Sequence, residues 1–442
     1  MASLAQLLPS LLEGNCLNRK YLIAFIAAII VKFFLGLVTP LSDDFMDWLA
    51  QANGSLNSIA SLGLHAPWVL VMKAISSFWL LLPISHPPLQ DALGHWYFLP
   101  SLSVILLIAM QKTPYLVFDA ATALTIRTIV SQYRGTSLGN QAMILWLANP
   151  YVTLTAEMWG QWDIGSAFFL VLACLFFSRK QYFRSGISLG AGIAVKLYPI
   201  LVLPVFLIFL SKKQVRANLP RFSLGVAILY LPALVFFAQK SAISSHLLQD
   251  VSFYVNTLVG YGLDFGLKVY GMRISFLVIA FSLFVFSCFF MWKCDTSAIF
   301  EGVLCLYLII FALSYWTPTY LLNLIPLLTI FYLLSGSRKF PFLTYLAAAS
   351  VYVLIAWAFY LTSWGHSLLF IPNYNSFMEH SSQFLLFVPG WPTGFLNVTM
   401  DTILTGPARS VFVGVSLWYF VWIFARNIDR NVLRNFVSRM DR

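Results

Sequence analysis

The sequence predicts an all-α, polytopic membrane protein of about twelve transmembrane helices, with amphipathic helices in its first external loop. Three observations predict it. Hydrophobic residues make up 60% of the 442 positions and charged residues 10%; mean hydropathy is +0.81; and apolar runs of spanning length recur along the whole chain. Roughly a quarter of soluble globular sequence is charged, so a soluble core could not hide this much apolar surface. Aromatics reach 17%, with 40 Phe and 14 Trp, as expected of rings that face lipid or rest at its boundary with water.

The first run, Tyr21–Val38, is long enough to span and lacks a small-residue cleavage site, so it reads as a retained helix. Further runs fall near 93–111, 114–132, 138–157, 160–177, 186–210, 222–238, 273–292, 297–314, 316–335, 341–362 and 406–426. The stretch 68–84 carries Lys73 and the pair Ser76–Ser77; it either spans or lies along the interface. Residues 1–335 read as one transmembrane module holding a first external loop at 39–92. Residues 336–442 supply the last helices, a long external loop at 363–405 and a basic tail.

Charge sets the expected orientation. The formal charge of +11 in a soluble protein suggests nucleic acid, but here the basic residues gather in short loops, the pattern of cytoplasmic loops, and no nucleic-acid partner is expected. Arg19–Lys20, then Lys212, Lys213, Arg216 and Arg221, then Arg338–Lys339 read as cytoplasmic. The tail with Arg426, Arg430, Arg434, Arg439 and Arg442 also reads as cytoplasmic and suits anionic lipid. Two long segments have no Lys or Arg, Phe33 to Met72 and Phe340 to Ala408, and read as external. The sequons at Asn53 and Asn397 fall in these segments. Arg179, Lys180 and Arg184 look cytoplasmic, yet twelve spans with 68–84 interfacial place them outside. The conflict disappears if 68–84 spans and 186–210 is a broken hairpin. Cys174, Cys288 and Cys305 lie in apolar runs without metal or disulfide spacing.

Several residues can carry chemistry. Asp43, Asp44 and Asp47 follow the first helix at the predicted outer face. Three carboxylates so close can form a base or a metal site, or they can be a solvated loop that caps a helix. Lys196 sits inside the apolar stretch Gly190-Ala-Gly-Ile-Ala-Val-Lys196-Leu-Tyr198-Pro199. Charges inside apolar runs are expensive, and a proline frees backbone groups that line cavities; this lysine either meets a lipid-linked phosphate or snorkels to the interface. Asp119 and Arg127 can pair within their helix or with neighbours, and Lys32 reads as a packing or partner lysine. Gln161 and Asp163 lie in Trp159-Gly160-Gln161-Trp162-Asp163, a polar turn between two spans. His366 and His380 lie in the late external loop with Trp364, Tyr374 and Trp391. Histidine can shuttle protons near neutral pH and rings can stack on sugars; a lone loop histidine is more often only polar.

The order of these features resembles the GT-C class of integral membrane glycosyltransferases. The resemblance rests on the acidic loop, Lys112-Thr-Pro114 with Asp119, Asn149-Pro150, the 159–163 turn, Gly190 to Pro199, and Trp316-Thr-Pro318 to Pro326, over most of residues 20–335. It is nearest to prokaryotic mannosyltransferases related to the GPI mannosyltransferases and dependent on polyprenol-phosphate-mannose. That resemblance implies a polyprenyl-phosphate or dolichyl-phosphate sugar donor, mannose being the expected sugar, and an inverting transfer to a lipid-linked or glycan acceptor at the extracytoplasmic face. It implies a base in the first external loop, matched by Asp44 and Asp43 and less well by Asp47. It also implies a lipid-phosphate site at Lys196 and Tyr198 and no nucleotide or other cofactor, with metal dependence varying across the class; Gln161, Asp163, His366 and His380 are, from their own chemistry, candidates for substrate contact. The expected compartment is the plasma membrane of a prokaryote or the endoplasmic reticulum of a eukaryote. The chain departs from the class where a tyrosine-Pro-Pro motif is usual after the first loop: it has His65-Ala-Pro67-Trp68 there, and His86-Pro87-Pro88 further on. Two rivals remain at this level: a transporter or lipid flippase, for which inverted repeats are expected and none is visible, and a non-catalytic subunit on the same scaffold.

Overall fold

The computed structural model describes residues 18–38, 66–84, 102–211, 215–238, 266–269, 272–291, 298–313, 318–335, 347, 349–350 and 400–427. The described residues are helical apart from one antiparallel hairpin, β1 (Gly266–Val269) and β2 (Met272–Ser275). Asp43, Asp44, Asp47, His366 and His380 lie outside the described residues. The chain divides into two compact units, Met1–Phe168 with Val351–Ala408, and Phe169–Ser350 with Arg409–Arg442.

In the first unit, α1 (Arg19–Val38) and α2 (Ala66–Leu80) pack on α3 (Leu102–Arg134). The sequence predicts two spans broken near Pro114; the structure has one helix of 33 residues, about 50 Å long at the usual rise. A proline inside a helix is tolerated where neighbours and side chains satisfy the freed backbone groups. Here Thr113 Oγ1 donates to the Ala109 carbonyl at 2.8 Å, and Lys112 is held by groups outside the helix. In α2, Trp68, Val69, Met72, Ser76 and Trp79 are buried while Val71, Phe78 and Leu80 are exposed. Its outer face carries these apolar side chains together with exposed Ser77 and half-buried Lys73. The Gln111 amide joins α3 to α2, donating to the Met72 carbonyl and to Ser76 Oγ, both at 2.9 Å.

Helix α3 turns at Gly135, whose φ of 87 lies in the left-handed region glycine favours, into α4 (Thr136–Leu147). The chain then leaves the helical course at Asn149, whose side chain accepts from the Tyr151 N–H at 3.0 Å. A single turn, Pro150–Val152, leads to a π-helical segment, Thr153–Met158, so the apolar run 138–157 is two pieces rather than one span.

Helix α5 (Asp163–Ser178) carries the boundary between the units. In the second unit, a tight turn joins the end of α5 to α6 (Tyr182–Val195), with Lys180 at φ 60. Helix α6 stops at Lys196, whose φ of −155 and ψ of 141 are extended. A 3-10 turn, Tyr198–Val202, starts α7 (Leu203–Ser211). This is a broken hairpin: a Cβ at Gly192 would sit 3.4 Å from Pro199 at one end, while the Phe177 ring meets Tyr182 at 5.3 Å and Phe209 at 6.2 Å at the other. Helix α8 (Leu219–Ala238) starts beside that second end, Phe222 stacking on Phe206 at 5.5 Å. Arg179, Lys180, Arg184, Arg216 and Arg221 consequently gather at one end of the α6–α7–α8 layer, with the Lys196–Pro199 break at the other. The glycines Gly186, Gly190 and Gly225 let α6 and α8 approach backbone to backbone. Helices α9 (Phe276–Met291), α10 (Ala298–Leu313), α11 (Ile325–Ser335) and α12 (Met400–Asn427) complete the described chain. In α12 the Tyr419 and Trp422 rings pack on Phe331 of α11 at 5.9 and 5.8 Å.

Among the described residues, two helices are long and apolar enough to cross a membrane, Arg19–Leu37 and Pro407–Asn427, and several shorter apolar helices accompany them. Their outward faces are apolar: Ile23, Ile26, Ile30, Val31 and Phe34 on α1, and Val278, Leu283, Phe286 and Phe289 on α9, are exposed.

Candidate functional site

Two polar sites lie within these apolar helices, one in each unit. In the second unit the helix break brings Lys196 and Tyr198 together. Both are buried, and the Lys196 ammonium stands 5.6 Å from the centre of the Tyr198 ring, within cation–π range. The Lys196 N–H still caps α6 by donating to the Gly192 carbonyl at 2.9 Å. An extended residue followed by a proline-led 3-10 turn turns this side chain out of the helix ladder while its backbone stays satisfied. An ammonium beside a phenol suits the oxygen atoms of a phosphate.

In the first unit, four elements converge on a buried group of charges. Lys32 of α1 donates to Asp119 Oδ2 at 2.6 Å and stands 3.9 Å from Glu157 Oε2. The indole N–H of Trp146 on α4 donates to the other Asp119 oxygen, also at 2.6 Å. Lys112 of α3 donates to the carbonyls of Glu157 and Met158 at 2.7 and 3.0 Å. A Cβ at Gly36 would lie 3.1 Å from the Glu157 carbonyl, so this glycine lets α1 sit close on the π-helical turn. Asp119 and Arg127 do not pair with each other: Asp119 takes Lys32, and Arg127 donates through Nε to Asn140 Oδ1 at 2.7 Å.

The 159–163 turn follows directly. Gly160 has φ 76, and Gln161 and Asp163 are buried in the first unit. Trp162 rests against Trp68 at 5.8 Å, and Trp68 meets Tyr115 edge-on at 5.1 Å. Among the described residues no three His, Cys, Asp or Glu side chains come together as a metal site; Asp43, Asp44 and Asp47, the sequence's candidates for that role, are outside them. Sequence reasoning missed Glu157 and gave Lys112 no role. The signal was present: each is an ionisable residue at the end of an apolar run, where a charge is costly unless something holds it.

Mostly helical among the described residues, with exposed apolar faces and ionisable side chains at breaks and bulges in its helices, the chain has features of a membrane-associated protein. Its family is shown by sequence: the model of glycosyltransferase family 87 matches residues 75–321, more than half of the chain, and the protein belongs to that family. No curated protein and no solved structure matches it. The matched span covers Lys112, Asp119, Glu157, Gln161, Asp163, Lys196 and Tyr198.

Proposed function

We propose that this protein is a multi-pass membrane glycosyltransferase that moves a sugar, mannose in the first instance, from a polyprenyl-phosphate donor to a lipid-linked or glycan acceptor at the extracytoplasmic face. The observation that carries the reading is the Lys196–Pro199 break. It holds a buried ammonium at the end of its helical layer opposite to Arg179, Lys180, Arg184, Arg216 and Arg221, and basic residues of short loops stay on the cytoplasmic side. A cation at the outer end of a membrane helix suits the phosphate of a donor drawn from the bilayer.

The chemistry is a single displacement with inversion. A carboxylate of the first external loop, Asp44 or Asp43 with Asp47 as the weaker candidate, takes the proton of an acceptor hydroxyl as its oxygen bonds to the sugar's anomeric carbon. The bond from that carbon to the phosphate oxygen breaks, and the lipid phosphate leaves with the electron pair. Lys196 and Tyr198 meet the charge growing on it. Gln161, Asp163, His366 and His380 remain candidates for holding the sugars. No nucleotide enters, because the donor is already activated.

Membranes containing the full-length protein, given labelled polyprenyl-phosphate mannose, test this. Asp44→Asn or Asp43→Asn should lower turnover by roughly 10²–10⁴-fold, the usual contribution of a positioned general base. Turnover by the unaltered protein that survives both changes would take the role from Asp43 and Asp44, and survival of Asp47→Asn as well would remove the base from that loop; no transfer at all from any polyprenyl-phosphate sugar would overturn the donor class.

A further inference from the structure

We infer that Lys112 is a positioning residue: its ammonium stands in for two missing backbone donors at the end of the π-helical segment and so fixes the 159–163 turn against α3. The inference rests on the glycosyl-transfer reading only for what that turn does.

The argument is an accounting of carbonyls. The last carbonyls of a helix have no partner inside it and must find one elsewhere. In Thr153–Met158 each of the last five is accounted for. The Leu154 carbonyl accepts from Trp159 N–H at 2.9 Å, Ala156 from Gly160 N–H at 3.1 Å, and Thr155 from Gln161 N–H at 3.1 Å. The left-handed Gly160 makes that return possible, as in the glycine-terminated ends of ordinary helices. It uses up the N–H groups of residues 159–161. The two remaining carbonyls, Glu157 and Met158, accept from Lys112 Nζ at 2.7 and 3.0 Å. They belong to the two residues just before Trp159, so the lysine grips the chain where the turn begins.

Lys112 is 2% exposed, so water does not offer the carbonyls an easy substitute. Its partners lie 45 and 46 residues away in sequence, so it ties α3 to the turn rather than capping its own helix. A lysine suits the task because one ammonium has three donors and can serve two carbonyls at once. Lys32 acts differently: it donates to the Asp119 carboxylate and leaves the backbone of the turn alone.

The test uses the full-length protein in detergent and in membranes. Amide hydrogen exchange over residues 157–163 should quicken at least tenfold in Lys112→Met and return toward the original rate in Lys112→Arg, while exchange across α6 to α8 stays as it was. Unchanged exchange over 157–163 in Lys112→Met overturns the inference. So does equal acceleration throughout the chain, which marks a general loss of stability. In the transfer assay, Lys112→Met should raise the KM for the sugar substrate several-fold more than it lowers kcat; an unchanged KM in protein of normal abundance would remove the turn from sugar binding. If the unaltered protein transfers no sugar, the exchange measurement still decides whether Lys112 holds the turn, and only the function assigned to the turn falls.

Discussion

Asp119 shows how much a single buried carboxylate can organise. One oxygen takes the Lys32 ammonium and the other the Trp146 indole, each at 2.6 Å, so α1, α3 and α4 meet at one side chain. Removing one partner of a buried ion pair costs about 3–5 kcal/mol because the other charge is left without compensation, whereas replacing both by apolar groups of similar size is often close to neutral. Asp119→Asn should therefore lower the thermal unfolding midpoint of the purified protein markedly. Lys32→Met with Asp119→Leu should recover part of the loss, short of the parts owed to the Trp146 contact and to Glu157, which loses Lys32 in the double variant. A double variant as unstable as the two single losses added would show that the pair does not act as a unit. Sequence had marked Asp119 and Lys32 as unusual but could not join them, since they are 87 residues apart and their meeting depends on how two helices pack.

At the scale of elements, the packing of α6 on α8 depends on the absence of side chains. A Cβ at Gly190 would come within 2.7 Å of the Val226 carbonyl oxygen, and backbone cannot step aside as a flexible side chain can. Overpacking of a well-filled contact costs about 1–3 kcal/mol; Gly190→Leu should reach the upper part of that range and reduce the amount of folded protein in membranes. Gly414→Leu is the matched control, because a Cβ there meets nothing within 4 Å; its stability should barely change. The two prolines separate what was legible from what was not. The glycine-to-proline stretch before Pro199 signalled a break, and the extended Lys196 makes one. Pro114 signalled the same, yet the helix continues through it, with Thr113 Oγ1 donating to the Ala109 carbonyl beside it.

At the scale of the molecule, the hairpin at Lys196–Pro199 bears on a conflict that charge counting left open. Because α7 runs back from the Lys196–Pro199 break toward the Phe177 ring, Arg179, Lys180 and Arg184 come to the same end as Arg216 and Arg221. Arg184→Cys and Arg216→Cys, each labelled in sealed vesicles by a thiol reagent that does not cross the membrane, should react from the same side. Labelling from opposite sides would overturn both the hairpin and the orientation proposed from it. The exposed apolar faces of α1 and α9 offer water little to bond, as expected of helices that meet lipid.

The sequence by itself determined that the chain forms apolar helices, that charges sit inside them at specific points, and that the chain breaks before Pro199. These follow from composition and local rules, in which each residue's own chemistry and its near neighbours suffice. Only the tertiary structure decided that Lys32 pairs with Asp119 and that Lys112 completes the end of a π-helical turn. Each of those outcomes depends on groups tens of residues away, and hydrogen bonds and ion pairs are short-ranged enough that only packing can select the partner.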